Sequence, residues 1–128
     1  MRSLIAAGIL LASGAAFAAP SSSVLDEVQQ RGTLKVCTTG DYKTYTFLRD
    51  DKSYEGIDIA LAESLAKSLS VKIEWVPTTW KTLMPDFLAQ CDMAVGGVSI
   101  SLERQKKAFF SNPITVDGKI PFVRCDEV

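Results

Sequence analysis

Short apolar strands alternate with amphipathic helices along most of this chain, and that alternation constrains its fold more than any single motif does. Val24 to Gln30 has the pattern of a short helix closed by Gly32, and Thr33 to Thr38 that of a strand with apolar Leu34 and Val36. Thr39 to Lys43 reads as a loop, and Thr46 to Arg49 with Ser53 to Glu55 as a small hairpin around Asp50-Asp51-Lys52. Asp58 to Leu69 predicts a helix, because Ile57, Leu61, Leu65 and Leu69 recur every four residues while Glu63 and Lys67 form a favourable exposed pair. Val71 to Val76 follows as a strand, Trp80 to Ala89 as a helix kinked at Pro85, and Met93 to Val95 as a short buried strand. Leu102 to Lys107 reads as a helical turn or two, and Phe109-Phe110 and Lys119 to Cys125 as further strands. This order predicts an α/β fold with a mostly parallel sheet and helices on both faces. Ligands of such sheets sit beyond the carboxyl ends of the strands. Here the loops at those ends are Thr39 to Lys43, Pro77 to Trp80 and Gly96 to Arg104.

The first 18 residues have the three regions of a secretory signal peptide. Arg2 supplies the positive start, Leu4 to Leu11 the apolar core, and Ala16-Phe17-Ala18 a small-x-small cleavage site before Ala19-Pro20. The apolar run falls short of the roughly 20 residues that span a bilayer, and no second run of that length follows, so no stable membrane insertion is expected. Cleavage after Ala18 of the 128-residue chain leaves residues 19–128, exported to the periplasm. Removing Arg2 from 14 basic against 15 acidic side chains leaves a balance of −2, which gives no reason to expect nucleic acid as a partner.

Three cysteines, Cys37, Cys91 and Cys125, enter an oxidising compartment where a disulfide can form. The odd count leaves at least one free or paired outside the chain, and Cys125 is the candidate. Cys37 ends an apolar strand and Cys91 precedes another, which suits buried small hydrophobes better than reactive thiols. There is no histidine. Ser-His and Cys-His nucleophilic pairs and histidine metal sites are therefore excluded for this chain alone, and neither a P-loop nor a G-x-G-x-x-G occurs. No metal and no cofactor is expected.

Gly96-Gly97-Val98-Ser99-Ile100-Ser101-Leu102-Glu103-Arg104 carries the clearest chemistry. Gly97 lets the backbone approach a ligand closely, Ser99 and Ser101 supply hydroxyls on alternate residues, and Arg104 adds a planar fork that can grip both oxygens of a carboxylate. The same spacing also fits a glycine turn followed by Ser101 as N-cap, with Arg104 solvated. Tyr42 and Trp80 are the aromatic candidates at the same edge, against core packing, which is the stronger rival for Trp80. Asp41, Lys43 and Thr79 could reach polar substituents, but each reads better as a loop-shaping or solvated residue.

The segment around Arg104 resembles the end of the first lobe in bacterial extracellular solute-binding proteins of family 3, where the arginine holds a ligand's α-carboxylate. Gly56-Ile57-Asp58-Ile59-Ala60-Leu61-Ala62-Glu63-Ser64-Leu65-Ala66 is similar to that family's signature, departing at Ala60, where an acidic residue is usual. Thr38-Thr39-Gly40-Asp41-Tyr42-Lys43 and Val76-Pro77-Thr78-Thr79-Trp80-Lys81-Thr82-Leu83-Met84-Pro85-Asp86-Phe87 resemble one enzymatic branch, the periplasmic cyclohexadienyl dehydratases. That branch converts prephenate or arogenate to phenylpyruvate or phenylalanine.

The resemblance implies the first lobe of a two-lobe, type II periplasmic binding protein, with residues 19–128 as an incomplete solute-binding domain stopping within the crossing to the second lobe. It assigns Tyr42, Trp80, Gly97, Ser99, Ser101 and Arg104 to binding a small-molecule carboxylate: prephenate, arogenate or an amino acid. The usual Pro-aromatic pair after the first loop is replaced here by Thr44-Tyr45. The dehydratase's general acid, a glutamate, belongs to the second lobe, so no catalytic residue is expected in this chain and the chain alone is expected to be inactive. The alternative implied is a non-catalytic binding protein that delivers a polar amino acid to an ABC permease.

Overall fold

The computed structural model describes residues 23–116, 118 and 120–127. The expected signal peptide, residues 1–18, lies outside them. Helix α1 spans Val24–Arg31. The Ser23 hydroxyl accepts from the Asp26 N–H and the Asp26 carboxylate accepts from the Ser23 N–H, so two amides that a helix start leaves orphaned are satisfied reciprocally. Gly32 ends the helix, and strand β1, Thr33–Thr38, begins at once. Strands β2 (Asp41–Tyr42), β3 (Thr46–Leu48) and β4 (Tyr54–Glu55) form a small antiparallel sheet in that order. Helix α2 covers Ile57–Ser68, β5 Lys72–Pro77, α3 Leu83–Gln90, β6 Met93–Ala94 and α4 Leu102–Gln105, and a 3-10 turn occupies Cys125–Glu127.

The main sheet has the order β5-β1-β6, and both pairings of β1 are parallel. Val36 lies level with Trp75 on one side and Met93 on the other. Alternate residues of a strand face opposite ways, and β1 uses both faces. Leu34 and Val36 join Val28 of α1 and Ala62 and Ala66 of α2 in one core cluster. On the other face Cys37 is bonded to Cys91, the residue that ends α3. Helices therefore cover both faces of the parallel sheet, as the strand-helix alternation predicts. The two sheets meet at a buried pair of hydroxyls, Thr38 and Thr46, 2.7 Å apart.

Several local expectations change. Helix α2 forms, but the four-residue repeat that marks it is not the face it buries: Ile57, Leu61 and Leu65 are exposed, while Asp58, Ile59, Ala62 and Ala66 face inward. Small alanines let the helix approach β1 and β5 closely, which bulky leucines would prevent. Helix α3 starts at Leu83 rather than Trp80, because Thr79 and Thr82 bond each other's hydroxyls and amides in a turn ahead of it. Pro85 then falls in the first turn, where its missing N–H has no intrahelical bond to lose. The stretch expected as a loop at Thr39 to Lys43 contains β2, and β5 begins one residue later than expected. Phe109-Phe110 and the described part of Lys119 to Cys125 form no strand; Phe109 and Phe122 are almost fully exposed, with no strand among the described residues to bond. Cys37 and Cys91 are not free thiols, as their reading as small hydrophobes implied, but a disulfide with Cα atoms 5.8 Å apart; Cys125 is free.

Candidate functional site

The three loops at the carboxyl ends of β1, β5 and β6 surround one cavity of about 740 Å³. Tyr42 enters from β2, Trp80 from the turn after β5, and Gly97, Ser99, Ser101 and Arg104 from the segment after β6. All six residues singled out in the sequence thus line the same space. Met84, Ile100, Glu103 and Lys107 line it too and were not singled out. They lie beside recognised residues on the same two segments, but neither composition nor spacing distinguishes them from solvated surface.

Arg104 and Ser101 are each partly committed. The Arg104 guanidinium donates from Nη1 to the Ser99 carbonyl at 2.8 Å. Its remaining N–H donors have no partner among the described residues, so a fork-shaped donor is held by one prong with others free. The Ser101 hydroxyl accepts from the Arg104 amide at 3.4 Å as the cap of α4, and keeps its own proton to donate. Capping by Ser101 does not remove Arg104 from the cavity wall.

The aromatic wall is edge-packed. The Tyr42 ring lies 4.9 Å from the Tyr45 ring and 6.4 Å from that of Trp80, at steep interplanar angles. Tyr42 and Trp80 remain 45% and 39% exposed, so neither is consumed by core packing. The Trp80 indole N–H donates to the Asp41 carboxylate at 2.9 Å, which gives Asp41 a loop-shaping role. Lys43 lies over the Phe47 ring at 5.4 Å, and Thr79 is engaged with Thr82. Thr78 and Thr82 hydroxyls hold the Asp86 carboxyl below the usual carboxylate range and pin the start of α3 beneath Trp80.

Gly97 is where the backbone requires glycine. Its φ is +69°, and an added Cβ would lie 2.7 Å from a Tyr45 ring carbon and 2.8 Å from two of Tyr42. The close approach of the chain to the aromatic wall depends on that missing side chain.

One residue was missed by sequence reasoning except as part of a signature. Asp58, in the first turn of α2, is 7% exposed, and its Oδ2 accepts from the amides of Gly96 at 2.9 Å and Gly97 at 2.8 Å. Its Oδ1 is buried without a hydrogen-bond partner. An acidic residue early in a helix is the ordinary dipole preference, so nothing in the sequence points to partners nearly forty residues away. Among the described residues no group of three or more His, Cys, Asp or Glu is arranged to hold a metal ion, and no helix is long and apolar enough to cross a membrane.

Residues 34–127 match the family model of bacterial extracellular solute-binding proteins, family 3. The cyclohexadienyl dehydratase of Pseudomonas aeruginosa is 45% identical over 106 residues, which is 82% of this chain and 40% of that protein. The crystal structure of an ancestral cyclohexadienyl dehydratase superposes with a TM-score of 0.70 at 55% identity, over 74% of this chain and 40% of that one. The arginine-bound form of domain 1 from TmArgBP superposes with a TM-score of 0.65 at 32% identity, over 69% of this chain and 71% of that one. The chain thus spans about 40% of the length of the dehydratases it resembles.

Proposed function

This chain belongs to the bacterial extracellular solute-binding proteins of family 3, and from that premise we propose that its cavity holds the carboxylate of a small molecule, with Arg104 as the principal donor. The observation that carries the reading is the convergence of Tyr42, Trp80, Gly97, Ser99, Ser101 and Arg104 on one cavity, with guanidinium donors left free beside two hydroxyls. Arginine suits a planar carboxylate because parallel N–H groups meet both oxygens. The exposed faces of Tyr42 and Trp80 suit a ring-bearing ligand.

We assign prephenate or arogenate as the ligand of the whole protein, for loss of the ring hydroxyl as water and the ring carboxylate as carbon dioxide, and residues 19–128 as its first lobe, secreted into the periplasm behind a cleaved leader at 1–18. The relation to two cyclohexadienyl dehydratases at 45% and 55% identity supports this choice. The acid that protonates the departing hydroxyl is assigned to a part of the protein outside this chain. The arginine-bound domain 1 supports a second reading, delivery of a polar amino acid to an ABC permease.

Titration calorimetry of the chain with prephenate, arogenate and arginine tests both. Saturable binding of prephenate or arogenate, lost in Arg104→Ala, is the expected result. Binding of arginine alone would assign the transport reading. No saturable binding of any of the three would overturn the carboxylate site. Phenylpyruvate formed from prephenate by this chain would overturn the placement of the acid.

A further inference from the structure

We propose that Asp58 is the positioning residue of this site, its carboxylate fixing the Gly96-Gly97 turn and through it the place of Arg104. The inference rests on the carboxylate-binding reading of the cavity.

The connection is short and continuous. Asp58 Oδ2 takes both glycine amides, Gly97 is two residues from Ser99, and the Ser99 carbonyl holds the Arg104 guanidinium. Gly96 and Gly97 have φ of +128° and +69°, a pair of conformations that short-range preference alone does not select and that an external acceptor can hold. Asp58 is itself immobilised. Its amide donates to the Tyr45 carbonyl, and its helix is anchored in the core by Ala62 and Ala66.

A role in fold stability alone accounts poorly for this carboxylate. It is buried, it has no ion pair among the described residues, and one of its oxygens lacks a hydrogen bond. Burying a charge on those terms is costly, and a packed apolar side chain would serve the core better. What an apolar residue cannot supply is one acceptor shared by two adjacent N–H groups, strengthened by its charge. That is the requirement of a turn whose shape must be held while its outer side stays open to a ligand.

The test uses Asp58→Ala and Asp58→Asn, read by amide hydrogen exchange without ligand and by titration with prephenate or arginine, whichever the parent chain binds. Asp58→Ala should speed exchange at Gly96 and Gly97 and weaken binding, each by about 10-fold or more, the scale of stranding buried amide donors. Exchange at Val36 and Ala62 should stay at parent values. Asp58→Asn keeps a neutral acceptor and should show a smaller shift in the same direction, about threefold, which decides the matter if the alanine variant does not fold. Unchanged exchange at the two glycines in a folded variant would overturn the proposal. So would an equal rise at Val36 and Ala62, which would make Asp58 a stabiliser of the whole fold. A parent chain that binds neither probe would overturn the site reading instead, and the exchange data would still judge the tether.

Discussion

The indole N–H of Trp80 donates to the carboxylate of Asp41 at 2.9 Å, joining the turn after β5 to strand β2. The bond is exposed, so its contribution to fold stability is small. Its effect falls on the orientation of the ring.

Asp41→Ala should release the indole while the core stays intact. A net loss of about 1 kcal/mol, typical of one such hydrogen bond, corresponds to about fivefold weaker binding of a ring-bearing ligand. The Trp80 indole resonance should move in the proton–nitrogen spectrum, with that of Trp75, on β5 and outside the cavity, unchanged. A stationary Trp80 signal would contradict the assignment.

In the protein completed by its second lobe, Arg104→Ala should weaken carboxylate binding by roughly 2–5 kcal/mol, the range for truncating one partner of a desolvated charged hydrogen bond. Arg104→Lys should fall between, because it keeps the charge and loses the fork. The melting temperature should stay near the parent's in both, since α4 buries no residue. Titration calorimetry and a thermal melt separate these effects, and unaltered affinity in the alanine variant would return Arg104 to the solvated surface.

The acid limb of stability should carry a contribution from Asp86. Hydroxyls of Thr78 and Thr82 lower its folded pKa below 3.8. A group whose folded pKa is lowered stabilises the fold above its unfolded pKa, and that contribution is lost as pH falls through the folded value. The stability difference between the parent and Asp86→Asn should therefore be constant above about pH 4 and shrink below it. Carboxyl NMR titration checks the origin directly, with a midpoint below 3.8 expected.

Cys37 and Cys91 are 54 positions apart in the chain. A cross-link of that span stabilises by about 4 kcal/mol on the chain-entropy account. In a Cys125→Ser background, which removes the free thiol, Cys37→Ala with Cys91→Ala should lower denaturant stability by roughly 2–5 kcal/mol. Equilibrium unfolding measures this, and an unchanged midpoint would mean that the pairing contributes nothing.

The legible parts of this fold were those that local chemistry decides. Gly32 closes α1, Ser101 caps α4, and strand-helix alternation places three loops at one edge. The illegible parts depend on what a residue meets across the fold. The apolar repeat Ile57, Leu61, Leu65 identifies a helix, but which face of α2 is buried is set by how near β1 and β5 must come, and alanine decides that. Trp80 lies ahead of α3 because two threonines bond each other first. Cys37 meets Cys91 only once β1 and β6 are paired, and Asp58 meets Gly96 for the same reason. Of the cavity lining, six residues were singled out in the sequence, whereas the bonds from the Gly96 and Gly97 amides to Asp58 came only from the structure.

The cavity's three walls hang from three strands, and the middle one, β1, is the only strand that touches both others. A molecule bridging Tyr42, Trp80 and Arg104 would fasten the segments that follow β1, β5 and β6 to one another from the outside, as the disulfide ties β1 to the end of α3 from within. Such a molecule acts as a removable cross-link of the sheet. At 100 times its dissociation constant it would add about 2.7 kcal/mol to the stability of the folded chain, so occupancy and folding of this sheet are one linked equilibrium.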